Sequence, residues 1–201
     1  MKLGLLGAIV AAGLLVGCGD YKGNVYTLYI SPSFSTEQIV ASKEAAHNLS
    51  EAVAKWSPYA SSLVFDIRIG ENHCGDHGLL DITATHNAIC LTASTREANA
   101  RLDGVPANNL GVTARQGNID SATIRISKDQ FANDLSGIYT VHSITATNRS
   151  LFIGTVAHEI GHALGLEHDL HEGTLMFASR EADNNLPTKE DVEILERIRG
   201  N

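Results

Sequence analysis

Residues 158–168 place three imidazoles and one carboxylate at fixed intervals: His158-Glu159-Ile160-Gly161-His162-Ala163-Leu164-Gly165-Leu166-Glu167-His168. The pattern H-E-x-x-H-x-x-G-x-x-H suits one metal ion held by three rings, with the acid left free for chemistry. On a helix, residues four apart lie about one turn apart on the same face, so His158 and His162 can converge. Glu159 projects beside them, near the metal but off it. Gly165 can take φ > 0, which ends a helix and turns the chain back. His168 then returns as the third ligand. Three protein ligands leave one position open for water, the pattern of a catalytic rather than a structural zinc site. Glu159 would act on that water as general base. The competing reading is a solvated helix with incidental histidines, and the length of the motif argues against it.

Met176 follows in Gly173-Thr174-Leu175-Met176-Phe177. Together the two segments resemble the metzincin zinc peptidases, whose long motif is followed by a tight Met-turn beneath the metal. Within them the run is most similar to the matrixin Gly-Ala-Leu-Met-Tyr-Pro. Two positions depart from that branch. Ala178 stands where matrixins carry proline, and Asp169 directly after the third histidine is similar to adamalysins. Ala178 also leaves no tyrosine two residues after the methionine, so an astacin-type fifth ligand is not expected.

The resemblance implies an α+β fold: a zincin-like domain with a twisted mixed sheet, an active-site helix, a Met-turn and a C-terminal helix. It implies a zinc metalloendopeptidase with one catalytic Zn2+ on His158, His162 and His168, and Glu159 as the catalytic residue. Met176 would be the packing floor under the metal. The substrate would be a protein or peptide, bound as an added strand along a sheet edge. By order along the chain, Leu110–Ala114 is the candidate edge.

The N-terminus addresses location. Met1-Lys2 precedes an apolar run from Leu3 to Gly17, then Cys18. About fifteen apolar residues fall short of the roughly twenty that span a bilayer, and a charged start with an apolar centre describes a secretory signal. Leu15-Val16-Gly17-Cys18 resembles the bacterial lipobox, which implies cleavage before Cys18 and lipidation of its sulfur. The expected organisation is a signal peptide at 1–17, a lipidated tether at 18–24 and one metallopeptidase domain at 25–201. The expected location is the bacterial cell envelope, at the outer membrane or cell surface rather than the inner membrane. The tether leaves no room for a propeptide between Cys18 and the first strand.

The formal net charge is −8. Cleavage removes Lys2 and no acid, giving about −9. Such an acidic chain is a poor candidate for nucleic acid. Anionic lipid head groups would repel it, so the lipid on Cys18 must hold it to the membrane. A monomer is expected.

Lipidation of Cys18 would leave Cys74 and Cys90 of the three cysteines. In an oxidising compartment they are expected to form a disulfide. The alternative is a second metal site in which Cys74 joins His73, His77 or His86, although the spacing matches no regular zinc module.

Roughly 180 residues after the signal fit one domain. Val25–Ile30 reads as a strand. Ser35-x-x-Gln38 looks like a capping box, opening a helix whose Ile39, Ala46, Leu49, Val53 and Trp56 share one stripe. Leu63, Phe65, Ile67 and Ile69 alternate with Val64, Asp66 and Arg68, a half-buried strand. Ala88–Leu91 is a weaker strand, and Gly111–Ala114 a short one. Ala122, Ile124 and Ile126 alternate with polar neighbours. Residues 128–150 read as a long polar connection, and Leu151–Leu164 as the helix carrying two ligands. Thr188 and Asp191 suggest a capping box on a last helix with Val192, Leu195 and Ile198 on one face.

Two other functions compete with proteolysis. One is a catalytically lapsed zinc-binding surface or interaction module of the same fold, against which the retention of Glu159 speaks. The other is a zinc amidase acting on cell-wall peptides.

Overall fold

The structure of the protein, a computed structural model, describes residues 25–57, 59, 62–70, 87–103, 109–115, 121–141, 144–178 and 186–200. The expected signal and tether, with Cys18, lie outside the described residues, as do Cys74, His73, His77 and His86.

Strands β1 (Val25–Ile30), β2 (Val64–Ile69), β3 (Ala88–Ser94), β4 (Gly111–Arg115) and β5 (Ser121–Ser127) form one sheet in the order β2-β1-β3-β5-β4. The first four in that order run parallel, and β4 closes one edge antiparallel to β5, with Gly111 opposite Ile126. The expected edge at Leu110–Ala114 is therefore a strand and does lie on a sheet edge.

β5 differs from its sequence pattern. Its alternation suggests one buried face, yet every residue is buried, including Arg125. Side chains of a strand point alternately to opposite faces. Ala122, Ile124 and Ile126 join the main core. On the other face Asn99 of α2 (Arg96–Asp103) donates to Ser127 Oγ at 2.9 Å. Helix α2 is not evident in the sequence, because its polar residues carry no apolar stripe.

The long helices pack on the core face. α1 (Thr36–Trp56) starts at the expected capping box, in which Gln38 N–H donates to Ser35 Oγ and Ser35 N–H to Gln38 Oε1, both at 3.1 Å. Half of its buried residues are alanine (Ala41, Ala45, Ala46, Ala52), joined by Leu49, Val53, Gln38 and Ser42, while Ile39 and Trp56 sit at the margin. Small residues let it approach α3 (Asn148–Ala163) closely. Phe152 of α3 is fully buried and meets Phe34 and Phe131 edge-on, at centroid separations of 6.1 and 5.1 Å. Such T-shaped contacts suit the ring quadrupoles.

Residues 128–150 are more structured than their composition suggests. They hold a 3-10 turn (Lys128–Gln130) and a hairpin of β6 (Ile138–Val141) and β7 (Ile144–Thr147). Thr147 then caps α3, accepting from Ser150 N–H at 3.1 Å. The helix thus begins before Leu151. α4 (Lys189–Arg199) follows the second predicted capping box and buries Val192 and Leu195.

Candidate metal centre

α3 is buried almost all round, so its two histidines are set by a rigid element. The His158 and His162 rings lie 4.6 Å apart between centroids, nearly perpendicular. After Ala163 the helix stops in a Schellman turn. Leu166 N–H donates to Gly161 O and Gly165 N–H to His162 O, both at 3.0 Å, with Gly165 at φ 104°. The turn returns His168 to the other rings, at centroid distances of 5.3 and 4.7 Å. One ligand atom from each of the three histidines lies within 4.8 Å of the others.

The ring orientations suit a metal. His158 Nδ1 lies 2.8 Å from Leu175 O, and His162 Nδ1 lies 2.8 Å from Leu166 O. A carbonyl can only accept, so each Nδ1 carries the hydrogen and each Nε2 presents a lone pair. Burial is the main cause holding the His162 pKa below the usual histidine range, aided by His168 and Arg115 and opposed by the Leu166 carbonyl and Glu167. The neutral ring is the ligand form. Three imidazole donors, two of them with the tautomer fixed by a backbone carbonyl, fit zinc.

Glu159 is buried and stands outside the histidine set. Thr113 Oγ1 of β4 lies 2.6 Å from Glu159 Oε2 and 3.0 Å from its backbone oxygen. The shorter contact is the charge-assisted one. β4 comes this close because Gly111 has no side chain: a Cβ there would stand 2.8 Å from Glu159 Cγ. Arg115, at the far end of β4, pairs with Glu167 beside the third histidine. The edge strand is thus fastened to both the acid and the ligand turn.

Met176 is buried beneath the helix, and a Cβ on Gly161 would meet its Sδ at 2.6 Å. The segment is fixed from below by Asp191 of α4. Its Oδ2 accepts from Leu175 N–H at 3.0 Å, Thr188 N–H at 2.8 Å and Thr188 Oγ1 at 2.7 Å. Leu175 therefore joins α4 to His158. The roles of Thr113, Gly111 and Asp191 were not evident from sequence. Asp191 showed only its capping signature, and Thr113 gave no local signal because its partner lies far along the chain. Cys90 is fully buried in β3.

A family model described as Matrixin, among the M10 peptidases, matches residues 26–200. Among curated proteins, none matches the chain in sequence. The crystal structure of an archaemetzincin from Methanopyrus kandleri is similar in fold, with a TM-score of 0.54 at 12% identity, covering 90% of this chain and 98% of that one. The two findings agree on a metzincin fold of the zinc-metallopeptidase type.

Proposed function

The chain belongs to the matrixin family, and on that premise we propose that it is a zinc-dependent endopeptidase. The observation that carries this reading is the convergence of the three histidines with Glu159 buried beside them and outside the ligand set.

His158, His162 and His168 would hold the ion through their free ring nitrogens. When bound, zinc supplies Lewis acidity toward a substrate carbonyl and toward water. Glu159 takes the proton of the attacking water and delivers it to the leaving amine. Thr113 keeps the Glu159 carboxylate beside β4 and so beside an extended substrate. The outer edge of β4, to which no described strand is paired, offers backbone N–H and C=O groups to such a peptide. Met176 and Leu175 support the ligands from below and touch no substrate.

Peptide-library profiling of the zinc-loaded protein against Glu159→Ala tests the reading. The native protein cleaves, while the variant keeps its zinc and loses cleavage. Loss of Glu159 without any change in a zinc-dependent phenotype would instead favour a binding module, and digestion of peptidoglycan but not casein would favour an amidase.

The remaining expectations stand as part of the same proposal. Lipid on Cys18 tethers a monomeric domain to the bacterial envelope, and Cys18→Ser abolishes partition into detergent. Cys74 pairs with Cys90, a reading that rests on the oxidising compartment. Mass analysis of the alkylated, unreduced protein shows both thiols protected if the pair exists.

A further inference from the structure

Asp169, His171 and Glu190 form a second group whose ligand atoms all lie within 4.8 Å of one another. We propose that this group is a second, outer site for a divalent transition-metal ion. It lies on the outside of the Met-turn and shares no residue with the histidine cluster.

The geometry around His171 supports the proposal. Its Nδ1 lies 3.0 Å from Asp169 Oδ1 and 3.3 Å from Glu190 Oε1. Ligand bonds of about 2.0–2.1 Å to nitrogen and oxygen place neighbouring donors at about these separations. In the absence of an ion, two carboxylates converge on a ring nitrogen that has at most one hydrogen to give. A divalent cation balances both carboxylates and lets all three atoms act as lone-pair donors.

The backbone that carries the donors is also held in place. Asp169 N–H donates to Met176 O at 2.9 Å, and Asp169 Oδ1 accepts from His171 N–H at 3.0 Å. His171 O accepts from Thr174 Oγ1 at 3.0 Å. Glu190 stands in the first turn of α4, which the Thr188–Asp191 capping box fixes. Two segments thus present a preformed set, and an ion there would cross-link the Met-turn to α4. One imidazole and two carboxylates suit zinc or manganese. Calcium, which takes six to eight oxygen ligands, is a poor match.

Zinc is the probe. The full chain is stripped with chelator, dialysed against a zinc buffer, and its zinc content measured per chain. Native protein is expected to hold two equivalents. His171→Ala/Glu190→Gln is expected to hold one, and His162→Ala one. All three substituted side chains of the outer-site and ligand variants can be checked for retained helix content by circular dichroism, and those of His171 and Glu190 are largely exposed. The proposal is overturned if native protein holds a single equivalent that His162→Ala removes, or if the outer-site variant still holds two. A single equivalent lost only in the outer-site variant would uphold the outer site and sink the catalytic zinc reading, so the two failures are distinguishable.

Discussion

The shortest link between the edge strand and the acid is one hydroxyl. Thr113 Oγ1 lies 2.6 Å from Glu159 Oε2, and hydrogen bonds to charged groups contribute about 1.5–3 kcal/mol. Thr113→Val should therefore lower kcat/KM by roughly 10- to 100-fold with zinc content unchanged, and Thr113→Ser should restore most of it. Equal loss in both variants would assign the effect to packing. Gly161 makes a second residue-scale case, because an added methyl meets Met176 Sδ at 2.6 Å. Overpacking a core costs about 1–3 kcal/mol, so Gly161→Ala should lower the thermal midpoint. The histidine motif was readable because its spacing is local to one helix and one turn. Thr113 and Gly111 were not, because their meaning comes from contact with Glu159, far along the chain.

At the scale of elements, α4 is more than a terminal helix. Asp191 caps it and also holds Leu175 N–H, whose carbonyl orients His158. Asp191→Ala should cost about 2–4 kcal/mol, combining a lost cap with a stranded backbone donor. It should also weaken zinc binding about 10-fold or more, as changes behind metal ligands do. Chelator competition checks the second effect, and retained affinity would show that His158 does not depend on this support. The capping signature predicted α4 well, since Thr188 and Asp191 lie close in sequence. The β6–β7 hairpin and α2 were missed because neither has a strong apolar period. β5 looked half-exposed because the sequence did not reveal α2, whose Asn99 covers Ser127 at the end of its polar face.

Across the whole molecule, α1 and α3 are joined outside their buried seam by Glu44 and Arg149, whose second contact is Arg149 Nη1 to Glu44 Oε1 at 3.1 Å. The hydrogen bond from Arg149 holds the Glu44 pKa below its usual value. A depressed carboxylate pKa contributes stability that is present above the unfolded-state pKa and is lost as pH falls through the folded-state value. Both side chains are well exposed, so the contribution is at most about 1 kcal/mol. Glu44→Gln should lower stability slightly at neutral pH and match native protein in strong acid, as denaturant titrations at both pH values would show. The α+β class and the order of strand, helix, strands and metal helix were legible in the sequence. The sheet order was not, because pairing β3 between β1 and β5 is a long-range choice.

The three histidines proposed as ligands do not share one mechanical environment. His158 and His162 ride on a helix buried almost all round, whereas His168 is exposed on the chain beyond the Schellman turn. Amides that exchange by local opening respond to a ligand, while those that open only with the whole domain respond to global stability. Zinc uptake should therefore slow deuterium exchange most at residues 165–177 and least within α3. On that proposal the ion would act as a fastener for a surface turn, while the helix that would supply two of its three ligands has no such need of it.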